Sequence, residues 1–117
     1  MKRIAIAIAT ASMMLATTPA LAHTHVRETN IAENATIARA PATFTIVFSA
    51  ATGLANVTLT DAAGRAVTLT YTPPREMAAS FAIPLPPLTP GAYTIAWRTI
   101  ARDGHAMPGA IHFIISG

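Results

Sequence analysis

The 117-residue sequence contains no cysteine. Export to an oxidising compartment would therefore bring no disulfide, the fold has to rest on packing alone, and thiolate metal sites are excluded. Any bound metal must be held by imidazole, amine, carboxylate or thioether. Lysine is almost missing too: Lys2 is the only one. Overall there are eight Lys and Arg against five Asp and Glu, but Lys2 and Arg3 belong to a segment expected to be removed, leaving six arginines and near neutrality. Without a basic run, that balance argues against nucleic acid as a partner. The sequence also shows no internal repeat, low-complexity tract, linker or convincing amphipathic helix pattern. No Ser-His-Asp or paired-carboxylate arrangement suggests hydrolysis.

What is present begins with the pattern of a secretory leader. Lys2-Arg3 is the positive start, Ile4 to Ala16 the apolar run, and Ala20-Leu21-Ala22 the small-residue exit. The run is too short and wrongly flanked for a membrane span, which needs about 20 apolar residues. The expected organisation is a signal peptide over 1–22 and a single domain over 23–117. Removing 22 of 117 residues leaves 95, enough for one modest core.

Past the leader the dominant period is two, the mark of half-buried strands. Thr43 to Ser49 puts Phe44, Ile46 and Phe48 on one face. Leu54 to Thr60 and Arg65 to Tyr71 bracket Asp61-Ala62-Ala63-Gly64, a reversal that sets Val57 and Leu59 opposite Val67 and Leu69. Pro73-Pro74 ends that pair. A short strand over Ser80 to Ile83 precedes a connection carrying Pro84, Pro86, Pro87 and Pro90. Ala92 to Ile100 then turns Tyr93, Ile95 and Trp97 inward, and Ala110 to Ser116 does the same with Ile111, Phe113 and Ile115. With an edge strand near Val26 the count is about seven. This predicts an all-β, seven-stranded Greek-key β-sandwich or barrel.

Cleavage after Ala22 would make His23 the first residue, ahead of Thr24 and His25. Its α-amino nitrogen and imidazole then sit on one residue and can chelate one ion. Between the last two strands, Asp103-Gly104-His105 lies in a Gly- and Pro-marked loop; residues two apart in extended chain project the same way. A set of amine, imidazoles and carboxylate favours copper(II) among divalent first-row ions, and zinc accepts the same donors.

His23-Thr24-His25-Val26, the run Gly91-x-Tyr93-x-Ile95-x-Trp97-Arg98, then Asp103-Gly104-His105-x-x-x-Gly109 and Phe113 resemble the CopC family of periplasmic copper-binding proteins. The resemblance covers essentially all of 23–117. It implies an immunoglobulin-like Greek-key barrel that binds copper(II) through His23, by amine and imidazole, with Asp103 and His105. It also implies a periplasmic role in copper tolerance or uptake, beside an inner-membrane copper transport protein. Some members hold copper(I) on a methionine-rich segment; here only Met77 and Met107 follow the leader, so no separate copper(I) site is expected. Ala50 stands where relatives commonly have an acidic residue, and Asn30 near a usual proline.

Three readings are open for His25: a peptide-type copper site with deprotonated amides, an outer-shell partner of the metal, or an ordinary strand histidine. His112 alternates with Ile111 and Phe113 and reads as a surface histidine. Arg98 and Arg102 either orient Asp103 or are solvated; Arg27 and Arg75 read as surface residues. The leading function is a soluble copper(II) carrier or buffer. A histidine-brace copper oxidase or monooxygenase, and a metal-free interaction sandwich, are the alternatives.

Overall fold

In the computed structural model, which describes residues 24–117, side-chain alternation becomes seven strands. They are β1 (Val26–Thr29), β2 (Ala35–Ile37), β3 (Thr43–Asp61), β4 (Ala66–Val67), β5 (Ala78–Pro84), β6 (Gly91–Ile100) and β7 (Ala106–Ile115). The leader and His23 lie outside the described residues. Among those residues no helix is long and apolar enough to cross a membrane.

The first half of β3 pairs with β1 and β5 to make one sheet. Its second half pairs with β4 and β6; β6 then pairs with β7, and β7 with β2, to make the other. All pairings are antiparallel except β2 with β7. The inward residues of both sheets meet in one core: Phe44, Ile46 and Phe48 from β3, Phe81 and Ile83 from β5, Tyr93, Ile95 and Trp97 from β6, and Phe113 and Ile115 from β7 are all buried. Full burial of each such side chain is worth about 1.5–3 kcal/mol, so this layer is what holds a disulfide-free chain together. The all-β sandwich read from the strand spacing is therefore the fold, with the expected inward faces.

The make-up of the strands differs from expectation in four places. The last strand, expected over Ala110 to Ser116, already begins at Ala106, because Ala106 to Gly109 pair with Ile100 to Trp97 instead of belonging to the loop. The expected strands Thr43 to Ser49 and Leu54 to Thr60 are one 19-residue strand. Register shifts between Val47 and Thr52 and between Leu54 and Asn56 bend it from one sheet into the other. Two residues make the bend possible. Thr52 is 1% exposed and donates its hydroxyl to the Ile100 carbonyl at 3.2 Å. Gly53 lets that same carbonyl approach to where an added Cβ would lie 3.2 Å from it.

The expected strand Arg65 to Tyr71 shrinks to Ala66–Val67, so Leu59 does face Val67 but Val57 gains no strand partner in Leu69. The chain must leave this sheet to reach β5 in the other. On the way Leu69 and Tyr71 pack against the side of the core. β2 was not foreseen, being three residues held by parallel pairing of Ala35, Thr36 and Ile37 with Phe113, Ile114 and Ile115. Asn30 stitches the exit of β1 to β3. Its side chain donates to the Thr43 carbonyl and accepts from the Thr45 amide, each at 2.8 Å, which proline could not do.

Candidate metal centre

The β6–β7 ladder runs without interruption from Gly91 opposite Ile115 to Ile100 opposite Ala106. It is closed by the Ala101 amide donating to the His105 carbonyl at 2.9 Å. Gly104 donates its amide to the Ala101 carbonyl at 2.9 Å and sits at φ +91°, a left-handed conformation that a side chain would strain. Arg102-Asp103-Gly104 is thus a three-residue hairpin loop of the turn-plus-bulge kind. The same construction recurs at Asp61–Arg65, where the Gly64 amide bonds the Asp61 carbonyl at 2.9 Å and Gly64 lies at φ +80°. At the base of the first loop the Thr99 hydroxyl donates to the Met107 carbonyl at 3.2 Å.

On this mount Asp103 and His105 meet as their spacing predicts. The Asp103 carboxylate accepts the His105 backbone N–H on Oδ1 at 3.0 Å and faces His105 Nδ1 with Oδ2 at 2.8 Å. With the Nδ1 proton directed at the carboxylate, Nε2 carries the ring's lone pair. Both side chains are open to solvent, the imidazole 80% and the carboxylate 66% exposed. The His105 backbone N–H first, and its imidazole second, hold the Asp103 carboxyl below its ordinary range. Arg98 and Arg102 form no ion pair with it, since among the described residues the ion pairs are His105 with Asp103 and His112 with Glu33. Of the two readings for these arginines, solvation stands.

Strand register brings the start of the described chain toward this loop. The His25 amide donates to Ser49 Oγ at 3.0 Å, and the Ser49 amide returns a bond to the His25 carbonyl at 2.8 Å. Four positions further along β3, Gly53 lies opposite Ile100, next to the loop. Segments some eighty residues apart in sequence thus converge on the bend of β3. His25 is exposed, and its amide is committed to Ser49, whereas a peptide-type copper site would need that nitrogen deprotonated. Among the described residues no three His, Asp or Glu side chains gather in one place. Asp103 and His105 are thus the two candidate donors that the described residues bring together, and His23 lies outside the described residues.

Sequence reasoning missed Ser49, and it missed a second carboxylate–histidine pair. His112 is exposed as expected, but it is partnered: its backbone N–H reaches Glu33 Oε1 at 2.8 Å and its Nδ1 faces Oε2 at 2.9 Å. This repeats the Asp103–His105 geometry across 79 positions of sequence. No local spacing announces it; the pairing needs Asn34 at φ 64°, with its amide on the His112 carbonyl at 2.6 Å. The Glu33 carboxyl, like that of Asp103, is held below its ordinary range, first by the backbone N–H and then by the imidazole of its histidine.

A lowered native pKa means stability that is present above the ordinary carboxylate range and lost as pH falls through the lowered value. Carboxyl NMR titration should place the midpoints below the ordinary 3.8 for Asp103 and 4.5 for Glu33. His105→Ala and His112→Ala should each move its own partner part of the way back up, since the backbone N–H of the residue remains. Midpoints at or above the ordinary values would refute both pairs.

Residues 26–116 match the CopC domain family. Among solved structures the chain is similar to CopC from Methylosinus trichosporium OB3b, with a TM-score of 0.66 and 18% identity, covering 80% of this chain and 94% of that one. It is similar also to PcoC, a methionine-rich copper resistance protein from Escherichia coli, with a TM-score of 0.64 and 23% identity, covering 81% of this chain and all of that one. At these identities the likeness establishes the fold. No curated protein matches the sequence. The family match takes in nearly the whole described chain, including the β6–β7 hairpin and its Asp103-Gly104-His105 loop, and on that ground the protein belongs to the CopC family.

Proposed function

We propose that this protein is a periplasmic copper(II) carrier or buffer in copper homeostasis or resistance. Its leader is removed after Ala22, and copper is its cargo rather than a catalytic centre. The ligands are His23, through its α-amine and imidazole, with Asp103 and His105. His25 lies beside the site as an outer partner.

The observation that carries this reading is the exposed Asp103–His105 pair, fixed on a tight hairpin at the end of the sandwich where the described residues begin. Membership of the CopC family and likeness to a copper resistance protein supply the metal. The donor set agrees with it, because amine, imidazole and carboxylate are ligands for copper(II), and no thiolate is present. High exposure of both loop ligands suits an ion that must be handed on, and an inner-membrane copper transport protein is the recipient we propose.

Protons compete for these ligands. A free imidazole titrates near pH 6.5 and an α-amine near 7.7–8.0, so each must shed its proton before it binds. Copper(II) affinity of the protein starting at His23 should fall at least about a thousandfold between pH 7.5 and pH 5, measured by competition with a chelator of known pH dependence. Equal affinity at the two values would exclude an amine and imidazole site.

A further inference from the structure

Met107 is exposed to 41%, which its place in the ladder makes unusual. In β7, residues 107, 109, 111, 113 and 115 share one face. Phe113 and Ile115 on that face are buried, Gly109 lies against the Trp97 indole, and Ile111 packs against the core. Met107 is therefore an inward-facing side chain at the end of the sandwich where the core stops. Its backbone is fixed, since its carbonyl accepts the buried Thr99 hydroxyl. His105 lies two positions earlier, in phase with it, and because its Nδ1 faces Asp103, Nε2 is the ring nitrogen left for a metal. An uncovered thioether thus stands on the same side of the hairpin as the imidazole. Thioether sulfur is a soft donor that favours copper(I) over copper(II).

We propose that Met107 is a copper(I) ligand acting with His105, so that the end of the molecule that takes copper(II) also retains copper that arrives reduced. This rests on the reading of Asp103 and His105 as copper ligands, and it adds a sulfur donor used in one oxidation state only. No electron transfer by the protein is involved. The other methionine of the described chain, Met77, precedes β5 in the opposite sheet and has no histidine in phase with it.

The test compares the unmodified protein starting at His23 with Met107→Leu and Met77→Leu, in separate titrations of copper(I) under anaerobic conditions against a chromophoric chelator and of copper(II) in air. Leucine keeps the volume and apolarity of methionine without the sulfur donor. Loss of an outer-shell partner typically costs 10–100-fold in metal affinity, so Met107→Leu should weaken copper(I) by at least about tenfold while leaving copper(II) within about twofold. X-ray absorption of the copper(I) form should show sulfur scattering that Met107→Leu abolishes and Met77→Leu keeps. Unchanged copper(I) affinity in Met107→Leu, with copper(II) still bound, would overturn the proposal and leave the copper(II) reading intact. An equal loss of both oxidation states, or an equal effect of Met77→Leu, would also overturn it. Failure of the unmodified protein to bind either ion would remove both readings together.

Discussion

Placing one extra residue ahead of His23 should cut copper(II) affinity by at least about a hundredfold. That is the upper end of what loss of a mere outer-shell partner costs, and here a ligand and its chelate ring are lost together. The extension turns the α-amine into an amide and leaves the fold untouched, because β1 begins only at Val26 and is anchored by Asn30 and Ser49. The unextended protein, its mass verified to begin at His23, is the comparison, and unfolding midpoints of the two metal-free forms should agree. Indifference of copper binding to the extension would show that the amine is not a ligand. The exposed Asp103–His105 pair would then have to find its remaining donors elsewhere.

Gly109→Ala should destabilise the metal-free protein by about 2–3 kcal/mol, in the range of overpacked cores, and lower the midpoint of thermal unfolding by roughly 10–20 °C for a domain this size. Gly109 lies opposite Trp97 in the β6–β7 ladder, and a Cβ added there would stand 2.5 Å from the indole Cε2 and Nε1. Neither side can give way cheaply. The indole is 7% exposed and packs against Phe44 with ring centroids 6.0 Å apart, and the backbone of Gly109 is held in the ladder that carries the Asp103–His105 loop. Trp97 is the only tryptophan, so its own fluorescence reports the unfolding. A midpoint shift of a degree or two would mean that the ring slides aside without cost.

The glycine illustrates what sequence alone conveys. Its place four residues after His105 is visible as a motif, whereas the reason for it is a neighbour on the adjacent strand. Inward faces were legible wherever a strand alternates cleanly, as for Phe44, Ile46 and Phe48 or Tyr93, Ile95 and Trp97, because burial on one face imposes period two. The span from Ser49 to Leu54 was not. Small residues there read as a gap, but Thr52 satisfies the Ile100 carbonyl and Gly53 admits it, so the strand continues through its bend without a break. β2 escaped because three residues carry no periodicity, and its pairing is decided by β7 at the far end of the chain.

For the site, the Asp103–His105 contact follows from a separation of two residues in a loop with glycine between, and it could be read directly. The Glu33–His112 contact has the same atoms and nearly the same distances, yet lies beyond any local pattern. The role of Ser49 in seating His25 depends on how β1 registers on β3, which alternation along either strand leaves undetermined.

Most two-layer proteins can in principle loosen by sliding one layer over the other. Here a single uninterrupted backbone, β3, belongs to both layers, and its bend lies where the hairpin loop and the chain start converge. A shared spar of this kind ties the two layers together at the bend. On the proposed reading, loading and unloading of an ion at that end fall to the loop tip and its two exposed side chains, Asp103 and His105.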